Sequence, residues 1–197
     1  MMAGQGAPRW ALALHGGAGV KAGRDYTRAE ACLARLVQRG ASRLQKGHPA
    51  LDVVEDLTAE MEASGLFVAG RGSAPNILGQ VELDASLMDG SRGPVGAVAA
   101  LQGVASPIRV ARRLLDRGSP VLLVGQGAQT FADDAGCERV TDVTLWLTTP
   151  DGSILTTSRT DMARSEPSRS TAPDVWPQRP PQEEPMAPFP AGSATAL

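Results

Sequence analysis

The stretch Val81-Glu82-Leu83-Asp84-Ala85-Ser86-Leu87-Met88-Asp89-Gly90 decides how the rest of the chain is read. Apolar and polar residues alternate through 81–88, the period of a strand with one buried face. Asp89-Gly90 then supplies a turn. Residues 94–104 return as a second strand, rich in Ala and Gly and therefore closely packed. A helix over 107–117 follows, with Pro107 in an N1-like position. A third buried strand over 121–124 and a short helix over 126–135 come next, and 142–147 reads as one more short element. Strands and helices mix along the chain, so the fold class is α/β (α+β).

Upstream, Trp10-Ala11-Leu12-Ala13-Leu14 reads as a short buried strand, and His15-Gly16-Gly17-Ala18-Gly19 as a flexible loop. A helix spans about 25–46, because Ala29, Cys32, Leu33, Leu36, Val37, Ala41 and Leu44 recur at helical spacing. Gly40 costs that helix about 1 kcal/mol relative to Ala, yet the pattern runs past it. Gly47-His48-Pro49 ends it. A second helix runs from Pro49 to Ser64 with the stripe Leu51, Val54, Leu57 and Met61. From 65 to 79 the period vanishes and glycine recurs at 65, 70, 72 and 79.

Composition bounds the function. The 197 residues carry 19 Lys and Arg against 21 Asp and Glu, so nucleic acid and anionic membranes have no electrostatic claim. Aromatic residues make up only 4%, which argues against stacking platforms for single strands. No run approaches the about 18 apolar residues of a membrane span, and five at 10–14 are too few for a signal-peptide core. A cytoplasmic location with reduced Cys32 and Cys137 is the default expectation. Eight of the 15 prolines lie in the last 37 residues. Residues 1–150 therefore read as the body, and 151–197 as a Pro- and Ser-rich mobile linker or tail.

Several chemistries can be weighed on the residues. Gly17-Ala18-Gly19-Val20-Lys21-Ala22 fits a dinucleotide-binding pattern, but a second helix follows where a parallel strand is required. A His-Gly-Gly loop resembles an esterase oxyanion loop, but no G-x-S-x-G elbow occurs. His15 is then a strand-end histidine bonded to backbone, with the glycines allowing close approach. Glu82 and Asp84 share one strand face and could do acid–base work, although a charged surface face is the commoner outcome. Cys32 falls on an apolar helix stripe and reads as core. Cys137 has no base beside it in sequence. The 65–79 segment leaves two readings open: an ordinary capping loop, or a curl of orphan helix-end carbonyls around a hard cation.

Six stretches in register resemble plant-type L-asparaginases and isoaspartyl peptidases, which are N-terminal-nucleophile hydrolases. They are 14–19, 51–55, Phe67-Val68-Ala69-Gly70-Arg71-Gly72-Ser73, 81–90, 106–112 and 120–128. The resemblance covers about residues 10–148 and implies an αββα four-layer sandwich, of which this chain supplies the alpha-subunit part. It implies a precursor that cuts itself before a threonine, whose own α-amino group serves as base. It implies hydrolysis of the side-chain amide of L-asparagine or of β-aspartyl peptide bonds. The resemblance further implies a beta subunit from the same precursor as partner, in a dimer of alpha–beta heterodimers. It implies no organic cofactor and a structural sodium ion held by the main-chain carbonyls of Met61, Glu62, Ser64, Phe67, Ala69 and Arg71. His15, Gly16, Gly17 and Gly19 are expected as backbone near the cleavage point.

The chain departs from the family pattern in three places. No Thr-Val-Gly-Ala-Val string occurs, so no catalytic nucleophile is assigned here and the chain by itself is expected to be inactive. Val68 stands where the family has asparagine and cannot make amide hydrogen bonds. Gly65 stands where proline is usual, which loosens the loop. A truncated, non-catalytic binding relative and an aspartylglucosaminidase-like amidase are the alternatives.

Overall fold

The computed structural model describes residues 10–17, 23–140, 142, 146 and 194–196. Four helices and four strands are found among them: α1 Thr27–Gln45, α2 Ala50–Ser64, β1 Leu83–Asp89, β2 Val95–Leu101, α3 Pro107–Arg117, β3 Leu122–Val124, α4 Gln126–Asp134 and β4 Ala194–Ala196. The strands form one sheet in the order β3-β2-β1-β4, with β2 and β3 parallel and the other pairs antiparallel. The mixed α/β class expected from the sequence holds.

The β1–β2 hairpin carries a bulge. Leu83 pairs with Leu101 but Ala85 pairs with Val98, so β2 holds one extra residue. Ala100 takes up the kink at φ 50°, and its N–H donates to the Asp84 carboxylate at 2.8 Å. Asp84 is thereby a structural anchor of the bulge.

One sheet face is closed by helices. Leu87 and Val98 meet Ile108, Val110, Ala111, Leu114 and Leu115 of α3, Leu51 and Ala59 of α2, and Ala128 and Ala132 of α4. Gly96 sets the approach of α3, because a Cβ there would overlap the Ala111 carbonyl oxygen. Alpha-1 packs on the far side of α2 through Cys32, Leu36 and Leu44 against Val53 and Leu57. Alpha-2 is thus apolar on two sides, and Val53 is buried beyond the single stripe read from the sequence. Gly40 sits at the crossing: a Cβ would lie 2.5 Å from Leu12 Cδ2 and 2.7 Å from Leu57 Cδ1. The glycine that weakens α1 locally lets the two helices meet.

Two sequence expectations change. Residues 10–14 run without strand pairing among the described residues, with Trp10 exposed and only Leu12 and Leu14 turned into the α1–α2 cluster. The third strand is an edge of the described sheet, and Val121, Leu122 and Val124 are each about half exposed. A short apolar run cannot distinguish burial on one face from burial on two. Of the element expected at 142–147 only Asp142 and Trp146 are described, Trp146 packing on Val81 and Leu83. Of the 151–197 tail only β4 is described; the rest lies outside the described residues. No helix among the described residues is long and apolar enough to cross a membrane.

Candidate functional site: the loop after α2

Alpha-2 ends on Gly65 in the left-handed conformation at φ 68°, a backbone state that glycine adopts without strain. The Ser64 hydroxyl donates to the Met61 carbonyl at 2.7 Å and accepts the Leu66 N–H at 3.2 Å. The chain then doubles back through buried Phe67 into a single 3-10 turn, Gly70–Gly72. A Cβ at Gly70 would lie 2.7 Å from the Glu62 carbonyl oxygen, and one at Gly72 would overlap the Phe67 carbonyl oxygen. Two carbonyls of the expected set therefore face positions that only glycine leaves open.

The hydrogen bonding of these carbonyls is uneven. Met61 is met by Ser64, and Ala69 accepts the Gly72 N–H at 3.2 Å. Among the described residues no hydrogen bond to the carbonyls of Glu62, Ser64 or Phe67 is found, although Glu62 and Phe67 are buried. Buried carbonyls without donors are rare, and an ion is one way to satisfy them. No cluster of three or more His, Cys, Asp or Glu able to hold a metal ion exists among the described residues. The donors of the expected set are main-chain carbonyl oxygens, which suit a hard cation.

The N-terminal loop lies on this segment. Gly16 stacks over Phe67, where a Cβ would lie 3.0 Å from Cε1 of that ring and 3.2 Å from Leu33 Cδ1. The Gly17 N–H donates to His15 Nδ1 at 3.3 Å, and Gly17 has φ 113°. The backbone-bonded role read for His15 is the one observed. Gly19 lies outside the described residues. Val68 points outward from the loop and is 82% exposed, so no contact within the described chain replaces the amide it lacks.

One side chain at the site escaped the sequence reading. Glu62 is 3% exposed, its Oε1 accepting the Ile108 N–H at 3.0 Å and its Oε2 the Ser106 hydroxyl at 2.5 Å. Burial pushes its carboxyl up to about 7, against the opposing pull of Ser106, the Ile108 N–H and Arg109. Its place one turn beyond buried Ala59 was the available signal: an acidic residue on a buried helix stripe needs a partner. Ile108 is the second residue of α3, so this carboxylate caps the N-terminus of that helix from another helix.

Other charges are structural. Arg112 bridges Asp52 and Glu55, Arg109 bridges Glu55 and Asp56, and Arg43 also reaches Asp56, tying α1, α2 and α3 together. Burial raises the Glu55 carboxyl despite both arginines. Burial acts the same way on Asp56, but Arg43 and Arg109 outweigh it and the carboxyl falls. Glu82 accepts from the Gln102 amide at 3.4 Å and Asp84 from the Ala100 N–H, so the two carboxylates serve separate partners. Cys32 is buried and Cys137 half-buried, both free thiols.

Comparison with known proteins finds a matching family and similar chains. A family model described as Asparaginase matches residues 8–184. A probable isoaspartyl peptidase/L-asparaginase 2 from Arabidopsis thaliana is 40% identical over 134 residues, which is 66% of this chain and 41% of the relative. An isoaspartyl peptidase from Salmonella typhimurium is 39% identical over 134 residues, 66% of this chain and 43% of the relative. A plant-type L-asparaginase from Pyrobaculum calidifontis is 41% identical over 127 residues, 64% of this chain and 42% of the relative. The matched stretches therefore span less than half the length of these curated relatives.

Proposed function

This chain belongs to the asparaginase family, and we propose that it is the alpha-subunit portion of a hydrolase acting on the side-chain amide of L-asparagine or on β-aspartyl peptide bonds. The observation that carries the reading is the glycine-shaped carbonyl loop at the end of α2, closed on one side by Gly16. The names of the relatives point the same way.

In this reading the reacting groups lie on a beta subunit from the same precursor. Its N-terminal threonine is the nucleophile, and the α-amino group of that residue takes the proton. The threonine oxygen adds to the side-chain carbonyl, ammonia or the peptide amine departs, and water hydrolyses the resulting β-aspartyl ester. The chain's own loop contributes by holding a sodium ion through the carbonyls of Met61, Glu62, Ser64, Phe67, Ala69 and Arg71. Held there, an ion would stiffen the segment against which Gly16 packs.

The outer face of the sheet supports this reading. Ser86 and Met88 of β1, Ala97 and Ala99 of β2, and Leu122 and Val124 of β3 share it by strand register. Met88, Leu122 and Val124 on this face are exposed. In the proposal a second sheet from the beta subunit covers this face and completes the αββα sandwich, and two such heterodimers pair. The compartment we assign is the cytoplasm.

The test is to purify the chain alone and together with a second chain beginning at a threonine. Ammonia release from L-asparagine and aspartate release from a β-aspartyl dipeptide are then measured. Turnover is expected only with the partner. Turnover by the chain alone overturns the assignment of the nucleophile. No turnover with the partner present favours a non-catalytic relative.

A further inference from the structure

We propose that Glu62 is a positioning residue for the cation loop: its side chain, clamped by Ser106 and the Ile108 N–H, aims its own carbonyl into the cradle. The inference rests on the sodium reading of the preceding subsection and adds a device to it that lies outside the loop.

Glu62 stands in the last turn of α2, three residues before the left-handed Gly65. Helix ends fray, and a carbonyl in the last turn has no intrahelical donor to fix its direction. A cradle of neutral carbonyls selects its ion by geometry and rigidity, so a loose carbonyl is a direct loss of affinity. The Glu62 side chain removes that looseness. Both oxygens are held, one by Ile108 N–H at 3.0 Å and one by the Ser106 hydroxyl at 2.5 Å. The anchor is firm, because Pro107, Ile108, Val110, Ala111 and Leu114 of α3 are fully buried. The returning loop is seated on the same residue: a Cβ at Gly70 would lie 2.5 Å from Glu62 Cβ, 2.8 Å from its Cα and 2.7 Å from its carbonyl oxygen. One residue therefore links three parts: α3 through its carboxylate, the returning loop through its Cα and Cβ, and the cradle through its carbonyl. Ser106 lies 44 residues from Glu62 in sequence. Its influence on the cradle would pass through the Glu62 carboxylate.

The experiment titrates the full chain with sodium chloride against choline chloride at constant ionic strength. The apparent Na+ dissociation constant is read from the rise in Tm, since a ligand of the native state stabilises it by mass action. Partners that orient a metal's ligands typically govern affinity by about 10–100-fold. Glu62→Ala is expected to weaken Na+ by about tenfold or more and Ser106→Ala by several-fold, in the same direction. Glu62→Gln is expected to rescue most of the affinity. Its amide oxygen can accept the Ile108 N–H while its amide nitrogen donates to the Ser106 oxygen, which can accept as well as donate.

A merely structural staple lowers Tm in choline and leaves the Na+ constant unchanged. That result in Ser106→Ala overturns the inference and leaves the sodium site intact. Glu62→Gln as damaged as Glu62→Ala overturns it too, because the carboxylate charge would then be acting, not the clamp. If the unmodified chain shows no Na+-dependent rise, the sodium reading fails and this inference falls with it. Should Glu62→Ala not fold, Ser106→Ala alone decides.

Discussion

The two faces of the β1–β2–β3 sheet are built from the same strands and have opposite fates. The inner face is sealed by α2, α3 and α4, with Leu87, Val98, Leu114 and Ile108 at or near zero exposure. The outer face carries Met88, Leu122 and Val124, which remain open to solvent. Among the described residues the inner face is covered by helices along its length. The outer face mixes the polar Asp84 and Ser86 with these exposed apolar side chains, and apolar side chains grouped on one exposed face are candidates for a contact surface.

Substitutions on the two faces should therefore separate widely. Leu87→Ala removes a fully buried side chain and is expected to lower stability by about 2–5 kcal/mol, read by chemical denaturation. Leu122→Ala, on the other face, is expected to change it by no more than about 0.5 kcal/mol in the chain alone. A loss of several kcal/mol at Leu122 would show that the outer face is already packed, and the contrast would collapse.

Gly96→Ala tests how closely the inner face is fitted. The added methyl meets the Ala111 carbonyl and the backbone of Leu115, with no flexible side chain to yield. A loss of about 1–3 kcal/mol is expected. An unchanged denaturation midpoint would mean that α3 does not rest on β2 as described.

Ala100→Gly acts in the opposite direction. Ala100 has φ 50°, where an L residue is strained by about 1–2 kcal/mol and glycine is not. Part of that gain is offset by the greater freedom of glycine in the unfolded chain. A net rise of up to about 1 kcal/mol is expected. The variant should stabilise the hairpin without touching either face. A fall in midpoint would place the bulge elsewhere.

The smallest effect is seen only in acid. The Ser91 hydroxyl, Arg92 and the Ser91 N–H hold the Asp89 carboxyl down to about 2, below its ordinary 3.8. A depressed folded-state value means stability present above pH 3.8 that is lost as pH falls through about 2. Asp89→Asn should flatten that acid limb of Tm against pH. An identical limb in the variant would show that other carboxylates account for it.

Much of the fold is legible residue by residue. Pro107 opens α3 and Gly118 closes it in the left-handed conformation, so its bounds come from local chemistry. Leu83, Ala85, Leu87 and Asp89 alternate with exposed or half-exposed partners, as a period of two requires. Of the candidate site, the glycines at 65, 70 and 72 were visible because loss of periodicity and glycine clustering are local signals. The carbonyl assignment came through the family resemblance and not from the residues alone.

What the chain order could not give is contact between distant residues. The sequence by itself determined the element types, the turn glycines and the one-sided patterning of β1, because these follow from backbone geometry within a few residues. Only the tertiary structure decided that Gly40 is a helix crossing, that Asp84 holds a bulge and that β3 is an exposed edge. Only it decided that Glu62 spends its carboxylate on Ser106 and Ile108, 44 and 46 residues away. Those roles depend on which surfaces meet, and that is set by packing over the whole domain.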